Sequence, residues 1–158
     1  MRILGVDPGL TTAGIGLIEV HKRTEPRALE WLTIETSSRL PLPERLKELA
    51  SDLSDFLDEA APDLAIVEKL FFAKNKRTAI ETAHARGVIL SLLALRDIEI
   101  MEITPAELKM AIAGDGKADK KQMQSMVKRT LKLKEIPTPA DAADALALAL
   151  YGAFTKKY

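Results

Sequence analysis

The feature that most constrains this chain is a short apolar strand that ends in a carboxylate. Ile3, Leu4 and Val6 have the character of a buried strand, and Asp7, a proline and a glycine follow at once. Proline cannot extend a central ladder and glycine permits a tight turn, so the strand must stop there. A carboxylate held at the end of a rigid strand suits a metal ion or a phosphate, although an ordinary turn also explains the motif. Acids elsewhere in the chain are needed to decide between these interpretations.

The hydrophobic pattern predicts three strands followed by alternating helices and strands. Short apolar or alternating runs predict strands at residues 3–6, 13–20, 28–36, 64–68 and 98–103. Helical periodicity and N-cap signals predict helices at residues 43–60, 78–95, 104–114, 119–131 and 138–154. The first three strands are expected to form an antiparallel meander. The expected fold class is therefore α/β, a ribonuclease H-like mixed five-stranded sheet with helices on both faces.

The composition is that of a globular protein and favours no particular partner. The 158 residues, 47% of them hydrophobic, predict a single domain that spans residues 1–158. The 23 basic and 23 acidic side chains cancel, so a nucleic-acid surface would require segregated charge. Because there is no cysteine, disulfides and thiolate metal sites are excluded, which fits a cytoplasmic location. We expect no signal peptide and no membrane partner, since no apolar run approaches the roughly 20 residues of a membrane span.

Four carboxylates in three parts of the chain are expected to converge. Asp7 ends the first predicted strand and Glu68 ends the fourth, so their side chains meet if the two strands are neighbours. Asp141 and Asp144 lie three residues apart and share one face of the last predicted helix. Four acids in one place repel one another unless cations hold them together. Oxygen-only ligands favour a hard ion such as Mg²⁺ or Mn²⁺.

Each of these acids also has a purely structural interpretation. Glu68 suits a strand end that faces solvent, and Asp141 occupies the position where a capping box from Thr138 requires an acid. Asp144 is the hardest to explain in this way. It lies in an almost wholly apolar stretch, where an unpaired carboxylate is costly.

Basic residues are concentrated between residues 109 and 134. This stretch contains eight lysines and arginines but only two acids, Asp115 and Asp119. Such charge supplies salt-sensitive phosphate binding, although a solvated helix face is the alternative. One lysine falls in the first turn of a predicted helix, where backbone N–H groups also favour a phosphate. The candidate nucleic-acid contacts in the stretch are Lys109, Lys117, Lys120 and Lys121.

The loop at residues 71–77 combines aromatic and basic side chains directly after Glu68. Aromatic rings stack on unpaired bases, and the neighbouring cations bind phosphates. One of the two phenylalanines is expected to be buried instead. The candidate contacts in this loop are Phe71, Phe72, Lys74, Lys76 and Arg77.

Small residues recur at every fourth position of the helix predicted at residues 78–95. They are Ala79, Ala83, Gly87 and Ser91. A face of small residues allows another element to approach closely. Core packing is the preferred interpretation, and a dimer interface is the second.

Four motifs together resemble the bacterial RuvC Holliday junction resolvases. They are residues 5–9 (GVDPG), 67–75 (VEKLFFAKN), 85–87 (ARG) and 140–147 (ADAADALA). The resemblance covers most of the chain. It implies a ribonuclease H-like fold, a homodimer and Mg²⁺-dependent cleavage of four-way DNA junctions in homologous recombination and DNA repair. It also implies the RuvA and RuvB branch-migration proteins as partners.

The resemblance carries over to particular residues. Lys109 and Lys120 match family lysines near the scissile phosphate, and Phe71 matches a ring placed near the junction centre. Two Mg²⁺ ions per active site are expected, with Mn²⁺ as a possible substitute. The catalytic and metal-binding roles fall on the four acids that match the family's metal site: Asp7, Glu68, Asp141 and Asp144.

Three other functions stay open. Residues 7–12 also resemble the phosphate-binding turn of the actin and sugar-kinase ATPases, but those proteins need two such domains. A ribonuclease H-like nuclease that acts on RNA is the second alternative. The third is a junction-binding protein without catalysis, against which the four intact acids argue.

Overall fold

The computed structural model describes residues 1–22, 24–70 and 76–156, with the side chains of all of these except Lys76 and Arg77. The strands are Arg2–Asp7 (β1), Thr12–Glu19 (β2), Arg27–Glu35 (β3), Leu64–Glu68 (β4) and Glu99–Ile103 (β5). The helices are Leu42–Ala60 (α1), Lys76–Ala94 (α2), Pro105–Ala113 (α3), Lys120–Thr130 (α4) and Ala140–Thr155 (α5). Every predicted element is present, so the predicted element order is confirmed.

The strands form one mixed sheet in the order β3-β2-β1-β4-β5. β1 pairs antiparallel with β2, which pairs antiparallel with β3, while the β1–β4 and β4–β5 pairs are parallel. Val6 of β1 lies opposite Val67 of β4. Asp7 and Glu68, the next residues along each strand, therefore leave the sheet side by side at its carboxyl edge.

Apolar side chains alternate between the two faces of the sheet, and helices cover both faces. Ile3, Ile18, Leu64 and Ile66 pack with α3, α4 and α5 on one face. The intervening residues pack with α1 and α2 on the other face: Leu4, Val6, Ile15, Ala65 and Val67. This period of two explains why β1 and β4 are buried on both sides. The predicted covering of both faces is confirmed.

Glycines in β1 and β2 let the backbone of α5 rest directly on the sheet. A Cβ atom added at Gly5 would lie 1.9 Å from the carbonyl oxygen of Ala145, and one added at Gly14 would lie 2.1 Å from that of Asp141. Because Gly14 pairs with Asp7 across the β1–β2 ladder, the first turn of α5 lies above the end of β1. The glycines thus bring the two acids of α5 to Asp7.

The predicted helix starts are correct for α3 and α4 and wrong for α5. Thr104 with Glu107, and Asp119 with Gln122, form complete capping boxes. At α5 the N-cap is Pro139, which has no side chain able to accept a hydrogen bond, and the helix begins at Ala140. Asp141 is therefore not the partner of a capping Thr138.

The predicted core packing of the small residues on α2 is wrong for three of the four. Ala83, Gly87 and Ser91 are exposed, and only Ala79 is buried. α2 instead buries Ala85, Ile89 and Leu93 against the sheet and α1. The larger residues Ile89 and Leu93 occupy the buried face of α2, because burying them removes more apolar surface from water.

Within the described ranges, no helix combines the length and the hydropathy needed to cross a bilayer.

Candidate metal and nucleic-acid site

Three aspartates from two elements meet at the carboxyl edge of the sheet. Asp7, Asp141 and Asp144 each contribute one carboxylate oxygen to a group in which all three oxygens lie within 4.8 Å of one another. Asp7 is the last residue of β1, and the other two lie one turn apart at the start of α5. Glu68, at the end of the neighbouring β4, lines the same pocket of about 210 Å³ together with Asp7 and Asp144.

Burial and the crowding of these acids make Asp7 hard to ionise. The pKa of Asp7 is raised from 3.8 to about 7, first by burial and then by repulsion from Glu68, Asp144 and Asp141, with Lys120 opposing the change. The pKa of Glu68 is also raised, mainly by burial and then by Asp144, while Lys109 opposes it. A bound cation would relieve this repulsion.

The donor set of the pocket fits a hard divalent cation. Three carboxylates within reach of one another, and a fourth beside them, offer only oxygen atoms. Oxygen ligands of this kind suit Mg²⁺, Mn²⁺ and Ca²⁺ better than ions that favour sulfur or imidazole. The chain has no cysteine that could compete for a softer metal.

Two of the candidate lysines lie on the wall of this pocket. Lys120, the first residue of α4, donates a hydrogen bond from Nζ to Oδ2 of Asp144 over 3.1 Å. That hydrogen bond is the main cause of a raised pKa of Lys120, so the ammonium group stays charged. Lys109 of α3 lines the same pocket beside Glu68. The two cations are therefore placed where an anionic ligand would meet the acids.

Of the basic residues at 109–134, a stretch that the structure describes in full, Lys109 and Lys120 line this pocket and the other six do not. Lys117 is exposed in the loop before α4, and Lys121 lines a separate groove that also contains Asp115. Lys132 pairs with Glu25, which lies beyond the end of β2. Asp7 pairs with Gly14 near the start of β2, whereas Glu25 follows the end of β2. Because Lys120 lines the acid pocket and Lys132 contacts Glu25, α4 runs from the acid pocket toward the other end of these strands.

The aromatic and basic loop is only partly covered by the structure. Phe71, Phe72 and Lys74 lie outside the described residues, and Lys76 and Arg77 begin α2 with side chains that are not described. The nucleic-acid role of these five residues stays a prediction.

Sequence reasoning did not find the buried arginine that supports the turn after Asp7. Arg45 of α1 is only 7% exposed. Its Nε donates to Oγ1 of Thr36 over 3.0 Å, and its Nη2 donates to Oγ1 of Thr11 over 2.9 Å. Thr36 in turn donates to the carbonyl oxygen of Leu10. A signal was present, because Arg45 stands four residues before Leu49 on the apolar face of α1.

A second arginine, Arg86, lies within one of the four motifs, and its contacts could not be predicted from the sequence. Its Nε donates to the carbonyl oxygen of Glu68 over 3.2 Å, and its Nη2 forms an ion pair with Glu102 of β5. Its position within residues 85–87 was the only signal. The arginine therefore touches the strand end that carries one of the four acids.

A model of the crossover junction endodeoxyribonuclease RuvC family matches residues 3–151. The chain belongs to the RuvC family. It is 48% identical over 149 residues to the RuvC of Thermotoga petrophila, with 94% of this chain and 90% of that relative covered. It is 42% identical over 158 residues to the RuvC of Finegoldia magna, with 100% of this chain and 96% of that relative covered.

The fold of this RuvC-family chain is similar to that of a solved family member. The structure of Thermus thermophilus RuvC in complex with a Holliday junction substrate superposes with a TM-score of 0.92 at 33% identity. The match covers 98% of this chain and 94% of that chain. The predicted ribonuclease H-like fold and the predicted family are both confirmed.

Proposed function

We propose that this RuvC-family protein is a structure-specific endonuclease that resolves four-way (Holliday) DNA junctions. One observation carries the proposal. Four acids from β1, β4 and α5 gather at one edge of the sheet with two lysines beside them. Relatives named crossover junction endodeoxyribonuclease at 42% and 48% identity support the same activity. The protein acts in homologous recombination and DNA repair, in the cytoplasm.

The acid pocket is the proposed catalytic centre, with Mg²⁺ as its cofactor. We assign two ions per active site, held by Asp7, Glu68, Asp141 and Asp144, with Mn²⁺ as a substitute. The oxygen-only donor set and the raised pKa of Asp7 support this assignment, because such donors suit a hard cation and a cation would offset the repulsion on Asp7. When bound, such ions supply a water that ionises near neutral pH and stabilise the leaving oxygen of a phosphodiester.

The two lysines beside the acids are placed to bind a DNA phosphate in the pocket. Asp7 must give up its proton before it can act as a ligand, since its pKa is about 7. Lys120 neutralises Asp144 in the protein alone and is free to turn to a DNA phosphate once another cation satisfies that carboxylate. Lys109, beside Glu68, is the second cation for the phosphate. Cleavage in this arrangement leaves a 5′-phosphate and a 3′-hydroxyl, which a ligase can rejoin.

A homodimer is the proposed assembly, because paired symmetric nicks need two active sites that face opposite strands. The exposed face of α2 is the candidate interface. Ala83, Gly87 and Ser91 let another backbone approach closely, and Ile80 on the same helix is 59% exposed.

RuvA and RuvB, the branch-migration proteins of the family, are the proposed protein partners. Phe71, Phe72, Lys74, Lys76, Arg77, Lys117 and Lys121 are proposed as further DNA contacts.

The decisive experiment is nicking of a synthetic four-way junction with each strand labelled in turn. With Mg²⁺ we expect paired nicks at symmetric positions in two opposing strands and products that a ligase can seal; with EDTA we expect binding alone. A linear duplex of the same sequence and an RNA–DNA hybrid serve as control substrates. Binding without nicks in Mg²⁺ would indicate a non-catalytic junction-binding protein. Preferred cleavage of the hybrid would indicate a nuclease that acts on RNA.

A further inference from the structure

Arg86 joins three elements at the point where Glu68 leaves the sheet. It lies on α2, its Nε donates to the carbonyl oxygen of Glu68 of β4 over 3.2 Å, and its Nη2 pairs with Glu102 of β5. The arginine side chain is 19% exposed, and that of Glu102 is 40% exposed. The guanidinium group is therefore held between the helix and the strand ends, with the carboxylate as its anchor on the solvent side.

Two hydrogen bonds from other elements hold the backbone at Glu68. Glu68 is the last residue of β4, and the next amide, that of Lys69, donates to the carbonyl oxygen of Ile103 over 2.8 Å. Arg86 binds the carbonyl oxygen of the same peptide unit. Together the two hydrogen bonds fix the plane of the peptide that follows Glu68, and so help to set the direction in which its Cα–Cβ bond leaves the strand.

Glu68 lies outside the closest group of acids. The three carboxylates whose oxygens lie within 4.8 Å of one another belong to Asp7, Asp141 and Asp144, and this group leaves out Glu68. Its approach to a cation shared with the other acids therefore depends on how its own strand end is oriented. Groups that orient a metal ligand in this way typically change metal affinity or activity by about 10- to 100-fold when removed.

We propose that Arg86, anchored by Glu102, is a positioning residue that sets Glu68 for metal binding. Arginine suits this task because its planar guanidinium offers several donors in fixed directions, which reach a carbonyl and a carboxylate at once. A lysine has the charge but a single nitrogen. Because this role rests on the proposed nuclease function, metal binding is measured separately from cleavage.

The test compares Arg86→Met, Arg86→Lys and Glu102→Gln with the wild-type protein. Binding of Mn²⁺ to the protein without DNA is followed by calorimetry, junction binding in EDTA by gel shift, and single-turnover cleavage over a series of Mg²⁺ concentrations. For Arg86→Met we expect Mn²⁺ affinity and cleavage rate to fall about 10- to 100-fold. The Mg²⁺ concentration for half-maximal rate should rise, while junction binding in EDTA stays within about twofold.

The other variants separate positioning from a general role in stability. Arg86→Lys should recover little of the Mn²⁺ affinity and cleavage rate lost in Arg86→Met, because lysine keeps the charge but cannot donate to a carbonyl and a carboxylate in the fixed directions of a guanidinium group. Glu102→Gln should lower the same two quantities by a smaller factor. Arg96→Met is the matched control. It also removes an arginine from an ion pair, with Asp58, but at a site away from the acids. It should leave Mn²⁺ affinity and the Mg²⁺ requirement unchanged.

Two results would overturn the role of Arg86. In the first, Arg86→Met and Glu102→Gln bind Mn²⁺ as tightly as the wild-type protein and need no more Mg²⁺ for cleavage. The other is a loss of thermal stability and junction binding with an unchanged Mg²⁺ requirement, which would indicate a structural role. If Arg86→Met does not fold, Arg86→Lys and Glu102→Gln answer the same question. If the wild-type protein binds Mn²⁺ in an Arg86-dependent way but cuts no junction, the proposed function fails while the role of Arg86 stands.

Discussion

Replacement of Asp7 by asparagine should stabilise the metal-free protein at neutral and alkaline pH while abolishing cleavage. The folded protein buries the Asp7 carboxylate and surrounds it with three other acids, and together these raise its pKa to about 7. Asparagine has nearly the same shape and carries no charge. The variant therefore removes the repulsion without opening a cavity, and it also removes one ligand from the proposed metal site.

The magnitude follows from the difference between the folded and the unfolded chain. The pKa of Asp7 is 3.8 when water surrounds the side chain, as it does in the unfolded chain, and about 7 in the folded protein. Between these pH values the folded state holds a proton that the unfolded state has lost, so the free energy of unfolding falls as the pH rises through this window. At about 1.4 kcal/mol per tenfold change in proton affinity, ionised Asp7 costs about 4 kcal/mol. Asparagine never carries this cost.

The assay is urea unfolding of both proteins in EDTA from pH 4.5 to pH 8. The stability advantage of Asp7→Asn should be small at pH 4.5, increase through pH 7 and level off above it. Mg²⁺ at pH 8 should raise the stability of the wild type and leave that of the variant almost unchanged, because only the wild type has the full site. Asp52→Asn, which neutralises an exposed acid on α1, is the matched control and should show no such pH dependence.

Two outcomes would refute this reasoning. A constant stability difference between pH 4.5 and pH 8 would mean that burial and repulsion do not act on Asp7 as the structure indicates. Normal cleavage by Asp7→Asn in Mg²⁺ would remove Asp7 from the metal site. Junction binding by the variant in EDTA should be kept, since no DNA contact is assigned to Asp7.

Three further predictions address Lys120, the packing of α5 on the sheet and the dimer interface. Lys120→Met should slow cleavage and reduce the slope of log affinity against log salt by roughly 0.9, because one phosphate contact is lost; junction binding measured at several salt concentrations tests this. Gly14→Ala should destabilise the protein by about 1–3 kcal/mol in urea unfolding and slow cleavage, because the added Cβ would meet the carbonyl oxygen of Asp141 at 2.1 Å. Gly87→Arg should shift a dimer toward monomer in light scattering with metal binding kept, whereas an unchanged mass would place the interface elsewhere.

Local patterns were sufficient to predict every helix and strand in the part of the chain that the structure describes. The period of two in residues 3–6 and 64–68, and the capping boxes at Thr104 and Asp119, depend on neighbours within a few residues. The same reasoning failed where two local signals competed. The Thr138 cap predicted for α5 is replaced by Pro139, and small residues on α2 lie outside because larger apolar ones take the core face.

Local patterns could not predict the arginine contacts near the acids. Arg45 hydrogen-bonds to Thr11 and Thr36, which lie 34 and 9 residues away in the chain, and Arg86 contacts Glu68 across 18 residues. A charged side chain on a helix is usually solvated, and even where its helix face indicates burial, as for Arg45, its sequence position does not reveal its partners. These contacts depend on how α1 and α2 pack on the sheet.

The sequence by itself determined which carboxylates stand at the ends of rigid elements, because strand ends and helix faces follow from local chemistry. Only the tertiary structure decided that these carboxylates meet. Asp7 reaches Glu68 because β1 pairs in parallel with β4. It reaches Asp141 and Asp144 because Gly5 and Gly14 leave no Cβ atoms between the sheet and α5. Strand order and the packing of a helix on the sheet depend on residues far apart in the chain, and they produce the burial and the crowding of acids that raise the pKa of Asp7.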